Sequence, residues 1–161
     1  MERETACCFT GHRELPVERA EHLRHALQTT IDRLYAEKRI TTYYAGGARG
    51  FDALASEAVI KRRTVLLDLH LVVVVPHEEQ AKRWSVAEQE RYERIKSEAN
   101  GIITLAPHYF RGCMQRRNRY MVDHSAVCVC FLTERTGGTA YTVNYAKQRG
   151  LTVFNLADTG N

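Results

Sequence analysis

Apolar and polar residues along this chain follow two rhythms, and the two take turns. Nearly continuous apolar runs occupy residues 5–10 (TACCFT), 41–45, 67–75, 101–105, 126–132 and 151–156. Runs of this length, closed by glycine, proline or polar clusters, read as β-strands. Between them the apolar residues fall three and four apart. In residues 17–38, Leu23, Ala26, Leu27, Ile31, Leu34 and Tyr35 make one stripe, with Pro16 near its start, the pattern of an amphipathic helix. Residues 51–63 carry a similar stripe of Leu54, Ala55, Ala58 and Val59. Residues 86–99, 115–124 and 140–149 read as three more helices, the last stopped by Gly150.

The runs at 67–75 and 126–132 are apolar at nearly every position, as strands covered on both faces are. Strand and helix alternate from end to end. The expected class is therefore α/β: one Rossmann-like domain over residues 1–161, with a mainly parallel sheet and helices on both faces. Sheets of this kind bind ligands at the carboxyl ends of their strands, where the strand order reverses. The loops at residues 10–13, 46–52, 76–77 and 133–139 all fall at that edge.

Two of these loops have the same construction. Gly46, Gly47 and Gly50 stand between a strand and the helix expected at Phe51, and Thr136, Gly137, Gly138 and Thr139 stand before the helix expected at Ala140. A helix N-terminus presents unpaired N–H groups and the positive end of its dipole, and glycines let a phosphate approach the bare backbone. Neither loop is a GxGxxG fingerprint, and GxxxxGK[ST] is absent from the chain, which argues against a P-loop NTPase. Arg13, Arg49 and Arg135 each flank a glycine-bearing turn, and arginine forks suit phosphate oxygens. Two roles fit Asp52: an acid favoured by the helix dipole, or an acceptor for a sugar hydroxyl. His12 fits either a ligand contact or the stabilisation of its own turn.

Composition adds limits. The chain has 161 residues, 44% hydrophobic and 26% charged, with a formal net charge of +4, which does not by itself call for nucleic acid. The first thirteen residues lack a signal-peptide pattern, and the longest apolar run is too short to span a bilayer. A cytoplasmic location without membrane contact is expected. The five cysteines include Cys128 and Cys130, whose spacing is not that of a CxxC motif, so they are read as small buried hydrophobes. His70, His77, His108 and His124 show no metal-ligand spacing. No metal and no cofactor are expected.

The motifs TGHR (residues 10–13), AGGARGFD (45–52), RRNRYMVDHS (116–125) and RTGGTAYT (135–142) occur in this order. Together with PHEEQAKRWSVAEQERYERI (76–95) they resemble the YpsA-like, DUF1273-type branch of the SLOG superfamily, over nearly the whole chain. The resemblance implies binding of a nucleotide or nucleotide-derived phosphate ligand, as in a sensor module. The ligand set it implies is Thr10, Gly11, His12, Arg13, Gly46, Gly47, Arg49, Gly50, Asp52, Arg117, Asn118, Thr136, Gly137, Gly138, Thr139 and Thr142.

More distant resemblances imply two alternatives. In the cytokinin-activating phosphoribohydrolase (lysine decarboxylase-like) group, Arg117 takes the place of the catalytic arginine and Gly138-Thr139 that of the GT pair. Thr142 stands where that group has its catalytic glutamate, and a threonine cannot act as acid or base near neutrality. N-glycosidic hydrolysis would then need Asp52 or Glu134 as the acid, which leaves Arg117 and Asp52 as the catalytic candidates. The stretch GARGFDALA (47–55) is similar to the glycine loop of DprA, which implies single-stranded DNA as a partner, with Arg111, Arg116 and Arg119 on phosphates and Trp84, Tyr109 and Phe110 for stacking. Relatives that pair through helices imply a homodimer.

Overall fold

The structure, a computed structural model, describes residues 2–159. Six strands form one sheet: β1 (Ala6–Gly11), β2 (Thr42–Ala45), β3 (His70–Val75), β4 (Gly101–Thr104), β5 (Val127–Phe131) and β6 (Thr152–Asn155). Five helices join them: α1 (Ala20–Lys38), α2 (Phe51–Arg63), α3 (Val86–Glu98), α4 (Cys113–Asp123) and α5 (Gly138–Gln148). The strand order is β4-β3-β2-β1-β5-β6, and every pair is parallel, as Cys7 opposite Tyr43 and Cys8 opposite Cys128 illustrate. This is the expected α/β, Rossmann-like class.

Alternation along the strands builds two cores. Cys7, Phe9, Tyr43, Leu71, Val73 and Val129 point to one face, where Leu23, Leu27 and Ile31 of α1, Phe51 and Val59 of α2 and Ile95 of α3 cover them. Cys8, Tyr44, Val72, Val74, Cys128 and Cys130 point to the other, under Met121 and Val122 of α4 and Val143 and Ala146 of α5. Phe9 stacks on Tyr43 with centroids 5.3 Å apart and meets Phe51 edge-on at 6.2 Å. All five cysteines are buried and unpaired in disulfides. Burial pushes the Cys130 thiol up to about 12, so it packs as a neutral group.

Helix α1 begins at Ala20 rather than residue 17, because Val17–Arg19 form a 3₁₀ turn, and three other boundaries differ from the sequence reading by more than one residue. The third strand begins at His70, because residues 64–69 form turns: Leu66 N–H donates to Arg62 and Leu69 N–H to Leu66. Leu67 is left 80% exposed. Helix α4 begins two residues early, after Gly112, whose φ of 94° starts the turn. Helix α5 begins at Gly138, so Gly138 and Thr139 belong to its first turn rather than to the loop before it. Among the described residues no helix is long and apolar enough to cross a membrane.

The order of the strands locates the site. From β1 the chain steps outward through β2, β3 and β4, then returns to the other side of β1 for β5 and β6. The loops leaving β1 and β5 therefore diverge, and a crevice opens between them.

Candidate functional site

That crevice is a cleft of about 410 Å³. Phe9, Thr10 and Gly11 at the end of β1, with His12, Arg13 and Glu14 beyond it, form one side. Ala48 and Arg49 come from the loop before α2, Asp52 from its first turn, Met114, Gln115, Arg117 and Asn118 from α4, and Gly138 and Thr139 from α5.

Two opposite charges are buried in its wall. Arg117 is 4% and Asp52 5% exposed. The Arg117 Nη1 donates to the Gly46 carbonyl, Nε donates to Asn118 Oδ1 at 2.8 Å, and Nη2 lies 3.9 Å from the Met114 sulfur. Asp52 Oδ2 accepts the Gly46 N–H at 3.1 Å, and the Ala48 N–H also bonds this carboxylate. Gly46 is thus gripped on both its backbone groups. A Cβ there would lie 2.5 Å from Arg117 Nη1 and 2.8 Å from Asp52 Oδ2, so only glycine lets the two side chains reach. Burial pushes the Asp52 carboxyl above the usual carboxylate range, opposed by Arg117, the two amides and Arg13. It lowers the Arg117 guanidinium from its ordinary value, opposed by Asp52. For both groups desolvation outweighs the mutual attraction, as it does for many buried pairs.

The two glycine loops are used differently. In the first, the bare backbone serves contacts within the protein. Gly50 has φ 73°, and a side chain on it would collide with the carbonyls of His12 and Arg13. Phe51 N–H, at the start of α2, donates to the His12 carbonyl at 3.1 Å. Gly47 has φ 70°, and a Cβ would lie 2.9 Å from Gln80 Nε2 and from the Tyr92 ring. The Gln80 amide donates to the carbonyls of Gly46 and Gly47 at 3.3 and 3.4 Å. The second loop is open. Added Cβ atoms at Gly137 and Gly138 would meet nothing within 4 Å, and no side chain caps the N-terminus of α5. The unpaired N–H groups and positive dipole end that a first turn carries are here set beside the cleft.

The other expected site residues fall on both sides of this division. Thr10, Gly11, His12, Arg13, Arg49, Asp52, Arg117, Asn118, Gly138 and Thr139 line the cleft together. His12 Nε2 accepts the Thr133 N–H at 2.9 Å and its ring meets Phe131 edge-on, tying the β1 loop to the β5 loop. Arg49 reaches toward α3: its Nη1 is 3.5 Å from Glu88 and its guanidinium lies over the Trp84 ring at 5.7 Å. Gly46, Gly47 and Gly50 stand behind the cleft surface, and Thr136 and Gly137 are exposed beyond it. Thr142 is buried, and its hydroxyl donates to the Gly138 carbonyl at 2.9 Å, which turns it into the helix.

Glu57 pairs with Arg91 of α3 through bonds of 2.8 and 2.6 Å, and Trp84 packs edge-on against Tyr92. Phe9, Glu14, Ala48, Met114 and Gln115 line the cleft without having been expected from the sequence. Met114 and Arg117 are three residues apart on α4, so a helix started at Cys113 would have found them together.

A comparison with protein-family models matches residues 7–154 to the YpsA model, described as the YspA SLOG family. The chain is similar to the uncharacterized SPbeta prophage-derived protein YoqJ of Bacillus subtilis, 29% identical over 138 residues, which cover 78% of this chain and 81% of that one. It is also similar to a UPF0398 protein of Bacillus thuringiensis, 25% identical over 151 residues, covering 88% of this chain and 82% of the other.

Solved structures share the fold. DNA processing protein A (DprA) from Streptococcus pneumoniae superposes with a TM-score of 0.66 at 15% identity, over 93% of this chain and 49% of that one. The Helicobacter pylori protein A gives 0.68 at 16%, over 95% and 65%. TM1055 gives 0.61 at 20%, over 100% and 77%. The chain thus spans about half of the S. pneumoniae protein and just under two thirds of the H. pylori one. With the family model covering both glycine loops, the two buried charges and the cleft between them, the chain belongs to the YspA SLOG family.

Proposed function

We propose that this protein binds a nucleotide or nucleotide-derived ligand whose phosphate sits on the N-terminus of α5. One observation carries the reading. The first turn of α5 has no side-chain cap, its glycines are sterically open, and Gly138 and Thr139 line a cleft at the strand-order reversal. Backbone amides at a helix N-terminus favour an anion there. Arg13, exposed at the rim, supplies the charge, and Arg117 with Asn118 shapes the wall. Ribose or base lies toward Ala48 and Asp52.

Thermal unfolding against adenine and guanine monophosphates, NAD, ADP-ribose and cyclic nucleotides tests this. A ligand at about a hundred times its Kd adds about 2.7 kcal/mol, which for a chain of this size is a shift of about 5–10 °C. A flat response across the panel would refute the reading.

Asp52 favours a second reading, nucleotide N-glycosidic hydrolysis. It lines the cleft, and burial raises its carboxyl from the ordinary value, the direction a general acid needs. Release of base from a nucleoside monophosphate, lost in Asp52→Asn, is the expected result, and intact substrate with the wild type counts against it.

The relative from H. pylori is described by its single-stranded DNA binding mode. On this chain Arg119 bonds the exposed Tyr141 at 3.1 Å and Arg116 lies over Phe110 at 5.9 Å, a surface suited to stacked bases. Affinity falling steeply with salt would favour that partner over a small ligand.

A further inference from the structure

A second cavity lies at the same edge of the sheet, beyond the ends of β3 and β4. It measures about 450 Å³ and is lined by His77, Glu79, Gln80, Lys82, Arg83, Trp84 and Tyr109. His77 is only 5% exposed. Its Nδ1 accepts the Glu79 N–H at 3.3 Å, so the neutral ring carries its proton on Nε2. That donor has no partner among the described residues. The Tyr109 ring meets His77 edge-on at 5.7 Å and stays 64% exposed, a half-open aromatic wall. Arg49 joins the two spaces: it lines the first cleft, and its guanidinium lies over Trp84, which lines the second. It is lightly held, with Nε unpartnered among the described residues and Glu88 3.5 Å from Nη1.

We propose that this cavity is a second subsite, which takes the base of a second nucleotide, so that the ligand is two nucleosides joined through a phosphate bridge lying along Arg49. The proposal rests on the nucleotide reading of the first cleft. Trp84 and Tyr109 offer faces for a base, His77 Nε2 offers a donor to its edge, and Arg83 brings positive charge, while Lys82 is held by Glu79 at 3.3 Å. Spacing sets the length of the ligand. β3 is the third strand from β5, so at about 4.8 Å per strand the two ends lie about 14 Å apart. One phosphate–sugar–base unit is too short to hold both ends, and two joined units are not.

The test uses three adenine ligands: AMP, NAD with its pyrophosphate bridge, and the phosphodiester-linked pApA. Trp84 is the only tryptophan and lines the second cavity, so its emission with each dinucleotide is read against its emission with AMP, while the thermal shift reports binding as a whole. At least one dinucleotide is expected to change Trp84 emission and to bind tenfold or more tightly than AMP, and which of the two does so identifies the bridge. Tyr109→Ala, at an exposed position the fold does not need, should weaken that dinucleotide about tenfold and leave AMP unchanged. If AMP stabilises the protein but neither dinucleotide binds more tightly or moves Trp84 emission, the second subsite is wrong and the first cleft stands. If none of the three binds, the second subsite falls, and the first cleft is decided by the wider nucleotide panel.

Discussion

Replacing Gly46 and Gly138 by alanine, one at a time, separates a glycine that serves the fold from one that serves a ligand. In Gly46→Ala the new methyl would lie 2.5 Å from Arg117 Nη1, 2.7 Å from Cζ and 2.8 Å from Asp52 Oδ2, where ordinary contact begins at 3.4 Å. A buried guanidinium and a buried carboxylate must both retreat by more than half an ångström, and both are bonded to the backbone of that same residue. Overpacking of this kind costs about 1–3 kcal/mol, and losing a hydrogen bond to a charged group about 1.5–3 kcal/mol. A loss of about 3 kcal/mol lowers the melting temperature by about 6–12 °C for a chain of this length. In Gly138→Ala the methyl meets nothing within 4 Å, and the backbone there has no positive φ. Stability should stay within about 0.5 kcal/mol of wild type, while the methyl occupies cleft space that a phosphate needs, so the ligand-induced shift should shrink or vanish. Differential scanning fluorimetry with and without ligand reads both effects. A Gly138→Ala protein as unstable as Gly46→Ala, or one that binds as wild type does, would refute the division.

Asp52→Asn should change the pH dependence of stability. Burial raises the folded-state pKa of Asp52, so its contribution is full below the ordinary carboxylate range and is lost as pH rises through the raised value; urea midpoints from pH 4 to 8 should fall with pH in the wild type and lose that component in the variant. Ser85 accepts the Glu88 N–H at 3.2 Å, and Glu88 reaches back to the Ser85 N–H at 3.4 Å; Ser85→Ala should cost about 1 kcal/mol, or about 2–4 °C, and an unchanged melting temperature would remove the capping box as a source of stability. His12→Ala removes the acceptor for Thr133 N–H and should speed amide exchange at residues 132–136, with β1 and β5 protected as before.

How much of this was legible in sequence depended on whether the cause was local. β1 and β5 announced themselves as apolar runs, and strict alternation with helices implied the parallel order that sets the loops on one edge. β3 was started too early because Leu66 and Leu67 extend an apolar run that only the pairing of Thr42 with His70 cuts short. The glycines at 46–50 looked like a phosphate cradle because the sequence shows that the backbone must be bare, not what approaches it. The approaching groups are the carbonyls of residues 12 and 13 and the side chain of Arg117, 71 residues away from Gly46. Arg49 likewise sits beside a turn in sequence but belongs, in space, to Glu88 and Trp84.

The same distinction decides which arginine can report on ligand binding. Arg117 has Nη1 and Nε committed to Gly46 and Asn118 and is buried beside Asp52. Removing it leaves a buried carboxylate without its counter-charge, a change of about 3–5 kcal/mol in folding, so a loss of binding in Arg117→Ala would say little about phosphate contact. Thr142 is equally uninformative, since its hydroxyl already serves the Gly138 carbonyl. Arg13 is different. Its backbone carbonyl packs near Gly50, but its side chain is exposed at the cleft rim. Arg13→Ala keeps the backbone contact and should leave the melting temperature within about 2 °C. A charge-assisted bond to phosphate is worth about 1.5–3 kcal/mol, so affinity for a nucleotide should fall about tenfold to a hundredfold, measured by titration calorimetry. Affinity equal to wild type, with the fold intact, would mean that the α5 amides hold the phosphate without Arg13.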